Sequence, residues 1–437
     1  MKIKIIKMGI NGEGIAYDTN NKPIFIPRAL IDEVVDIKII KEFDTYKTAE
    51  LVKVIKQSDY RIKAKCKLTH LCGGCPLMIL QVKKQLEYKK ALIEQSLIKY
   101  TNRKYRVLPV IASEDYFSYR NQFKFPVKLI NGQLYSGLYQ ENTDRLVTIE
   151  RCIIHNTKLE VIRNNIMKIL NLHNIKDYYE RIQSGLRCIV LRGFNDTYQL
   201  TLITGKNNIS DKCINDLFEI DGISSIYQNI NISKNPTAFS DEFRLLCGSK
   251  TIELKLNNLV FRLSPNSFFQ LNTKQAIKIY DYVNELVKPC NLIVEAYSGI
   301  GAMGLITSSK ANKVKGIEYV NNAVKNANLN AKFNHLNDKV NFVCGDAAKY
   351  LELINEPIDY LIVDPPRSGL DDNMLSAILK KLPSTIIYVS CNHSTLAKNI
   401  ASLSDRYNVE IIQPFDMFTN TAHVECITLM TIAKNES

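Results

Sequence analysis

A cysteine and a glutamate late in the chain are the residue types that could carry out covalent chemistry. Cys391 follows the apolar run "IIYVS", which is typical of a buried strand, and Glu425 begins the apolar stretch "ECITLM". A thiolate at a strand end is a nucleophile candidate, and a carboxylate partly removed from water has a raised pKa that suits a general base. A small core residue and a solvated edge residue are the plain alternatives, and neither pattern alone decides.

A glycine-rich loop after another predicted strand indicates a nucleotide-type cofactor. The segment "EAYSGIGAMG" holds Gly299, Gly301 and Gly304 in G-x-G-x-x-G spacing, and Glu318 closes the next strand. Dinucleotides need a helix N-terminus for their pyrophosphate, whereas S-adenosylmethionine has no phosphate and carries cationic groups. Glu295, at the end of the first strand, would repel a pyrophosphate, so the local charge favours S-adenosylmethionine. Ordinary turn glycines remain the alternative, because this fingerprint alone is weak.

Acids at the ends of later strands extend this predicted cofactor site. Asp346 in "VCGDAA" is a plausible neighbour of an adenine, and Asp364 in "LIVDPPRSGL" precedes two prolines that stiffen the loop. Arg367 stands where enzymes that methylate exocyclic amines have an aromatic residue, so the pattern disfavours amine methylation. In "SPNSFFQLNT", Gln270 is donor and acceptor for a cofactor or a base edge, while the two phenylalanines before it stack or fill core.

A thiolate and a carboxylate together suit methylation of a pyrimidine carbon. Carbon 5 of uracil is too weak a nucleophile to accept a methyl group unaided, but thiolate addition at carbon 6 makes the ring enolate-like. A base must then remove the proton from carbon 5 before the thiolate leaves. Cys391 is the predicted nucleophile and Glu425 the predicted base, with His423 as a further candidate.

Taken together, these motifs resemble the RNA uracil-5-methyltransferase family that uses S-adenosylmethionine. The segments "FFQLN", "YSGIG", "GIEYVNNAVKNANLN", "DPPRSGL", "VSCN" and "HVE" occur in the family's order over nearly the whole chain. The resemblance implies that Cys391 is the nucleophile and Glu425 the general base. It also implies four cofactor contacts: Gln270, Tyr297, Glu318 and Asp364.

The chain departs from the family's pattern at a few places. His393 stands where the family usually has proline, and Gln122 where lysine is common. The segment "FTNTAHVE" lacks the usual proline and histidine before the threonine, and "EAY" replaces an aspartate-led strand end. These departures concern loop rigidity and substrate choice more than the chemistry.

A cysteine cluster predicts a metal site near the N-terminal end. Cys66, Cys72 and Cys75 in "CKLTHLCGGC" have C-x5-C-x2-C spacing, and Cys152 in "ERCIIHN" is the candidate for a fourth ligand. Four thiolates suit zinc or a [4Fe-4S] cluster, composition does not separate the two, and unligated thiols are the alternative. The resemblance favours [4Fe-4S] in a structural role, because the family's ribosomal-RNA members carry this pattern and its tRNA-specific members typically lack it.

The elements that must position these residues fall into three predicted domains. Residues 1–57 alternate apolar and polar positions between turns, which predicts an OB-type β-barrel that the resemblance identifies as a TRAM domain. Residues 58–262 predict an α+β central domain that carries the iron-sulfur cluster; by the resemblance, about 93–124 packs on the catalytic domain. Residues 263–437 alternate helices with strands that are apolar on both faces, which predicts a Rossmann-like α/β methyltransferase domain with a parallel sheet.

A basic amphipathic helix is predicted in the central domain, over Gln81–Tyr100. Its outer face carries lysine and glutamate side chains, and its apolar stripe consists of Leu86, Ala91, Leu92 and Leu97.

Charge and composition favour a polyanionic partner. The chain has 57 Lys and Arg against 44 Asp and Glu, a net charge of +13, although part of this excess is a plain Lys and Asn bias. Basic and aromatic residues interleave in "DYFSYRNQFKFPVKL" and in "LRCIVLRGF", where Arg187 and Arg192 recur. Stacking combined with phosphate contact is how looped RNA is held, and a solvated strand face is the alternative.

The predicted function is methyl transfer from S-adenosylmethionine to carbon 5 of a uridine in 23S ribosomal RNA. A tRNA uracil-5-methyltransferase, a nicotinamide-dependent oxidoreductase and a non-catalytic RNA-binding module are the alternatives, and the "SCN" and "HVE" pair argues against the last. No apolar run approaches the roughly 18 residues of a membrane span, and eleven cysteines without a secretory signal indicate a reducing cytoplasm. No obligate protein partner is implied.

Overall fold

The computed structural model describes residues 1–140, 143–235 and 237–433. The chain divides into two compact units. The first unit contains Met1–Glu114, Pro365–Leu375 and the chain from Ile387 onward, and the second contains Asp115–Asp364 and Ser376–Ile386. Three separate segments of the chain therefore build the first unit.

The helices and strands, in chain order, have the following bounds. The strands are β1 (Lys2–Lys4), β2 (Lys7–Met8), β3 (Gly14–Tyr17), β4 (Pro23–Ile26), β5 (Val34–Glu42), β6 (Lys47–Lys56), β7 (Gln122–Ile130), β8 (Gln133–Tyr139), β9 (Leu146–Thr148), β10 (Leu186–Phe194), β11 (Thr197–Thr204), β12 (Ile223–Ile230), β13 (Phe243–Gly248), β14 (Ile252–Leu256), β15 (Leu259–Leu263), β16 (Cys290–Ala296), β17 (Ala311–Glu318), β18 (Val340–Cys344), β19 (Tyr360–Val363), β20 (Thr385–Ser390), β21 (Tyr407–Phe415) and β22 (Glu425–Ile432). The α-helices are α1 (Val82–Thr101), α2 (Thr157–Leu172), α3 (Asp211–Phe218), α4 (Thr273–Leu286), α5 (Ala302–Thr307), α6 (Asn321–Phe333), α7 (Ala347–Leu353), α8 (Asp372–Lys381) and α9 (His393–Leu403), with short 3₁₀ helices at Glu180–Ile182 and Ser308–Lys310.

The N-terminal part of the first unit is a six-stranded sheet in the order β1-β5-β6-β4-β3-β2. Only Ile5 and Ile6 separate β1 from β2, yet these two strands lie at opposite edges of that order, so the sheet must curl round into a barrel. Aliphatic side chains fill its interior, among them Ile5, Ile24 and Ile26. The β-barrel predicted from the alternating pattern is present.

Helix α1 begins and ends one residue later than predicted, and its buried face differs from the predicted stripe. Leu86 and Ala91 stay partly exposed, whereas three polar side chains of the helix are buried. The stripe prediction is therefore only partly right, and the reason is that these polar groups find partners inside the unit. The buried side chains of α1 are Gln85, Lys89, Leu92, Ile93, Ser96 and Leu97.

The C-terminal part of the first unit places β22 between β20 and β21. Strands β21 and β22 are antiparallel, with Phe415 opposite Glu425. Helix α9 follows β20 directly and packs against α1. Within this unit, the helix that follows β20 is therefore held against α1.

The second unit holds two larger sheets. One has the order β13-β12-β11-β10-β7-β8-β9 and is antiparallel except for the parallel pair β11 and β12, and helices α2 and α3 pack on it. The other contains β18-β17-β16-β19, and all of these pairs are parallel. The parallel sheet wound with helices, predicted from strands that are apolar throughout, is thus confirmed. Among the described residues, no helix has both the length and the apolarity to cross a membrane.

Candidate functional site

The glycine loop after β16 packs closely against neighbouring side chains at two of its three glycines. A Cβ at Gly301 would lie 2.4 Å from the ring of Phe342, and a Cβ at Gly304 would lie 2.5 Å from the carboxylate of Glu295. Gly299 differs, because its φ is +54° and nothing lies within 4 Å of a Cβ there. Packing therefore explains two of the glycines, while the third is at a position where the backbone faces open space, as a ligand-binding turn requires.

Glu295 proves to be a structural residue under this loop. Its side chain is buried, and its Oε2 accepts a hydrogen bond from the backbone N–H of Gly304 at 3.0 Å. Burial raises the pKa of Glu295 to about 8, so the carboxyl group is mostly protonated at neutral pH. The sequence argument that its negative charge repels a pyrophosphate is therefore wrong.

Three of the predicted cofactor residues lie side by side at the carboxyl edge of the parallel sheet. Ala296 pairs with Ile317 of β17 on one side and with Val363 of β19 on the other. The next residue of each strand is one of the predicted contacts, so the register brings these three together. They are Tyr297, Glu318 and Asp364.

Each of these three residues has a distinctive setting. Tyr297 adopts φ +62°, a left-handed conformation that is rare for a non-glycine residue and often marks a functional turn. Glu318 accepts hydrogen bonds from the backbone N–H groups of Gly299 at 3.0 Å and Val320 at 2.8 Å. Burial raises the pKa of Asp364 to about 7. Glu318 thereby ties the glycine loop to the neighbouring strand.

Asp346 has a structural contact of its own. It precedes α7, and its Oδ1 accepts a hydrogen bond from the backbone N–H of Lys349 at 3.0 Å, which is the geometry of a helix N-cap. The side chain is exposed. The prediction that Asp346 neighbours an adenine stays a prediction.

Gln270 lies in the segment before α4, where the backbone is held by Asn121. The Nδ2 of Asn121 donates to the carbonyl of Gln270 at 2.8 Å and to the hydroxyl of Thr273 at 2.8 Å. The two phenylalanines of this segment separate: Phe269 is buried, while Phe268 is 72% exposed. Phe269 therefore fills core, and Phe268 is the ring available for stacking.

Arg187 and Arg192, which sequence reasoning assigned to RNA contact, are buried. Arg192 donates to the carbonyl of Ser267 at 2.6 Å and to other carbonyls of the segment before Gln270. Arg187 donates to the carbonyl of Asn231 at 2.7 Å. Both guanidinium groups thus donate hydrogen bonds to backbone carbonyls of loops. The prediction that these two residues contact RNA is therefore wrong.

The segment that carries Cys391 is held between a strand and a helix. Cys391 is partly buried and follows β20 directly. Asn392 caps α9, since its Oδ1 accepts from the backbone N–H of Ser394 at 3.0 Å. The hydroxyl of Ser96 on α1 lies 2.7 Å from Nδ1 of His393, and burial lowers the pKa of that imidazole. Cys391 therefore lies in a turn that is fixed on both sides.

Two contacts connect the Cys391 segment with the Glu425 segment. Asn392 donates through Nδ2 to the carbonyl of Arg367 at 2.9 Å, and the guanidinium of Arg367 lies 3.3 Å from the ring nitrogens of His423. Asn392 is next to Cys391, and His423 is two residues before Glu425. The thiol and the carboxylate therefore lie at the same end of the β20-β22 pair.

Glu425 is buried, with 4% of its surface exposed. It is the first residue of β22, and the pKa of the adjoining Cys426 thiol is raised to about 12 by burial. A solvated edge residue, the alternative for Glu425, is thus excluded. A buried carboxylate beside a candidate nucleophile has the chemistry that a general base requires.

The four predicted metal ligands belong to two different compact units. Cys66, Cys72 and Cys75 lie in a segment of turns between β6 and α1, and Cys152 belongs to the second unit, where its backbone N–H donates to Glu160 at 3.1 Å. Across residues 1–140, 143–235 and 237–433, no group of three or more His, Cys, Asp or Glu side chains is arranged to hold a metal ion. The four-thiolate site stays a prediction.

Sequence reasoning missed several polar residues that hold the site. Asn121, Arg192 and Ser96 bind backbone or side chains that are distant in the chain, and no local pattern signals such contacts. Asn392 could have been found, because an asparagine directly before a helical pattern is a common N-cap signal.

Two family models match this chain. Residues 81–433 match the family described as tRNA (Uracil-5-)-methyltransferase, and residues 1–52 match the TRAM domain. Together these two matches account for most of the sequence.

Curated proteins that bear the name uncharacterized RNA methyltransferase are similar over almost their full length. One from Listeria innocua is 36% identical over 98% of this chain and 96% of its own length. One from Bacillus anthracis is 35% identical, with 98% and 96% covered. One from Clostridium tetani is 34% identical, with 98% and 95% covered.

A solved structure shares the fold. The crystal structure of Pyrococcus abyssi tRNA (uracil-54, C5)-methyltransferase in complex with S-adenosyl-L-homocysteine matches with a TM-score of 0.80 and 24% identity. The match covers 99% of this chain and 100% of that one. The N-terminal barrel and the Rossmann-like sheet therefore both lie within the matched part of the chain.

Proposed function

The chain belongs to the tRNA (uracil-5-)-methyltransferase family of RNA methyltransferases, and we propose that it methylates carbon 5 of a uridine through a covalent bond to Cys391. One observation carries this proposal. A partly buried thiol after β20 and a buried carboxylate at the start of β22 lie at the same end of neighbouring strands. This is the pair of groups that addition and elimination at a pyrimidine require.

S-adenosylmethionine is the proposed methyl donor, and it supplies an electrophilic methyl group on a sulfonium. Gln270, Tyr297, Glu318 and Asp364 are proposed to hold it. The open space at Gly299 fits such a ligand, and so does the hydroxyl of Ser298, which is buried without a hydrogen-bond partner among the described residues. The bound S-adenosyl-L-homocysteine of the Pyrococcus protein supports this cofactor.

The proposed reaction uses the two side chains in turn. The Cys391 thiolate forms a bond to carbon 6, and the electron pair of the carbon 5–carbon 6 double bond moves toward the ring carbonyl. Carbon 5 then bonds to the methyl group, whose bond to the sulfonium sulfur breaks and leaves its electron pair on that sulfur, so that the donor departs as a neutral thioether. Glu425 takes the proton from carbon 5, the double bond re-forms, and the sulfur–carbon 6 bond breaks to return the thiolate. Burial of Glu425 favours this step, because a carboxylate removed from water is a stronger base.

Large-subunit ribosomal RNA is the proposed substrate, and the cysteine pattern that the chain shares with ribosomal-RNA members supports it. A tRNA is the second candidate, which the family description and the Pyrococcus protein favour. The Pyrococcus match spans 99% of this chain, including the barrel, so the barrel itself does not distinguish the two substrates. The target uridine must leave its stack to reach Cys391.

The [4Fe-4S] cluster stays a prediction, with Cys66, Cys72, Cys75 and Cys152 as its proposed ligands, since no metal-binding group of three or more His, Cys, Asp or Glu side chains is found among the described residues. No step of the proposed reaction depends on it. Iron and acid-labile sulfide analysis of anaerobically purified protein measures it directly.

Trapping on RNA that contains 5-fluorouracil tests the nucleophile. We expect the wild-type protein to form a covalent complex that survives denaturation, and Cys391→Ala to form none. Cys344→Ala, which removes an exposed thiol, should trap like the wild type. Continued trapping by Cys391→Ala would refute the assignment. Ribosomal RNA fragments and tRNA compared in the same assay identify the substrate, and Glu425→Gln on ordinary uridine should accumulate the methylated adduct.

A further inference from the structure

A buried lysine on α1 reaches the segment that precedes Glu425. Lys89 has 0% of its surface exposed and forms an ion pair with the equally buried Asp416. Its Nζ also donates to the carbonyl of Phe418 at 2.9 Å. A buried ion pair recovers its desolvation cost only where its geometry is well defined, so it holds these groups in one arrangement.

Gln85, one helical turn earlier, holds the same segment at a second point. Its Oε1 accepts from the backbone N–H of Asn420 at 3.0 Å, and its Nε2 lies 3.3 Å from the side-chain oxygen of Asn420. The carbonyl of Asn420 accepts from the backbone N–H of Leu77 at 3.0 Å. Asn420 itself adopts φ +63°, a conformation that such contacts must maintain.

These contacts hold Asp416, Phe418 and Asn420, in a segment that lacks helix or strand structure. Beyond it, the hydroxyl of Thr421 donates to the carbonyl of Phe418 at 2.8 Å and accepts from the backbone N–H of His423 at 3.3 Å. A continuous set of hydrogen bonds therefore runs from α1 to within two residues of Glu425. No interaction between the α1 side chains and reacting atoms is needed.

We propose that Lys89 and Gln85 are positioning residues for the general base: by fixing residues 416–421, they aim the Glu425 carboxylate at the proton on carbon 5. The inference rests on the proposed function. It assigns α1 a role in one step of the reaction, because a displacement of about 1 Å can cost roughly a hundredfold in rate. Thiolate addition and methyl transfer precede that step and do not use Glu425.

Two variants test the proposal without leaving a buried charge unpaired. Gln85→Met keeps the side-chain volume and removes the bonds to Asn420, together with those that Nε2 donates to the carbonyls of Leu77 and Leu80. The double variant Lys89→Met with Asp416→Leu removes both charges of the ion pair together, which is tolerated far better than removal of one. Ser96→Ala is the control for the other side of the site, since Ser96 is a buried polar residue of α1 whose hydroxyl meets His393, beside Cys391, so its loss can slow thiolate addition but should not slow proton removal. Thermal unfolding identifies any variant that fails to fold, in which case the other variant decides.

The readout is the proton-removal step itself, measured with uridine RNA and methyl-labelled S-adenosylmethionine. Both test variants should turn over at least tenfold more slowly, accumulate methylated RNA bound covalently to protein, and show a larger isotope effect when deuterium replaces the hydrogen on carbon 5. Ser96→Ala should show neither adduct nor isotope effect above wild type. Wild-type turnover in the test variants, or slow turnover without adduct and isotope effect, would overturn the proposal. A wild-type protein that methylates no RNA would overturn the proposed function as well.

Discussion

Single carboxyl groups that look alike in the sequence differ sharply in their surroundings. Glu318 is half-buried and accepts two backbone hydrogen bonds, Glu425 is buried at the start of a strand, and Glu295 is buried against the N-terminal turn of α5. The setting limits what each group can do: Glu295 is a structural hydrogen-bond acceptor, whereas Glu318 is proposed as a ligand contact and Glu425 as a base.

Glu295 should make the protein less stable as pH rises. Its pKa in the folded state is about 8, mainly because of burial, and 4.5 is the ordinary value. Between these values the unfolded chain releases a proton that the folded chain keeps, so the free energy of unfolding falls by up to about 1.4 kcal/mol per pH unit. Glu295→Gln keeps an acceptor for the N–H of Gly304 and removes this titration. Thermal unfolding from pH 5 to pH 9 should show the variant gaining on the wild type as pH rises.

An exposed glutamate supplies the control for this experiment. The pKa of Glu356 is lowered by its hydrogen bonds to Lys315 and Lys313. Glu356 should therefore stabilise the fold slightly above the ordinary pKa of a carboxyl group, and this contribution is lost as the pH falls. The difference in stability between wild type and Glu356→Gln should thus shrink toward low pH, which is the opposite direction to Glu295. Equal pH profiles for wild type and Glu295→Gln would contradict the assignment of a protonated, buried carboxyl group.

The sequence predicts residue types at strand ends well and side-chain partners poorly. The positions of Cys391 and Glu425 after and before buried strands follow from local apolar patterns. Arg187 and Arg192 could not be assigned, because the carbonyl groups that they bind belong to segments about 40 and 75 residues further along the chain. Glu295 was misjudged for a similar reason, since only the packed fold removes its charge from the ligand side.

At the scale of elements, the N-cap of α9 connects helix stability to the site. Asn392, which directly follows Cys391, caps α9 and also donates a hydrogen bond to the carbonyl of Arg367. Asn392→Ala should cost about 1 kcal/mol of stability because the cap is removed, and it should also slow 5-fluorouracil trapping, because the turn that carries the thiol loosens. The measurements are chemical denaturation and the initial rate of covalent complex formation.

Ser210→Ala is the matched cap variant. Ser210 caps α3 through the backbone N–H of Cys213 at 3.3 Å and lies in the other unit. It should lose a similar amount of stability and trap at the wild-type rate. If both variants slow trapping equally, the effect of Asn392 is one of general stability and the positional argument fails.

Element boundaries followed from the sequence more closely than buried faces did. Helix α1 was predicted within one residue at each end, since its limits depend on local helical periodicity. Its buried face was misplaced because Gln85 and Lys89 are polar, and hydropathy patterns assign polar residues to solvent. Only partners distant in the chain, Asn420 and Asp416, make their burial favourable.

At the scale of the whole molecule, local sequence patterns predict the individual sheets, but they do not predict which segments of the chain fold together into one compact unit. The barrel and the parallel sheet were predicted because each has its own periodicity. The first compact unit, however, combines the N-terminal 114 residues with two later segments, and no composition change marks such a grouping. The predicted limits at 57 and 262 stay predictions.

Two neighbouring strands of the N-terminal barrel are suited to bind RNA. The antiparallel strands β5 and β6 expose four lysines along their length, together with exposed apolar side chains that include Ile40 at 59% and Val52 at 61%. Cations with nearby apolar surface offer phosphate contact and base stacking together. The four lysines are Lys38, Lys41, Lys53 and Lys56.

Replacing these four lysines with glutamine should weaken RNA binding and flatten its salt dependence. For every phosphate that the protein no longer neutralises, the slope of log affinity against log salt falls by about 0.7 to 0.9, so the measurement is a salt titration of RNA affinity. A control with the same change in net charge replaces lysines that pair with carboxylates, and its slope should stay near that of the wild type. If both variants change the slope equally, the total charge of +13 controls binding and the barrel surface has no special part in it. The control residues are Lys158, Lys313, Lys315 and Lys380.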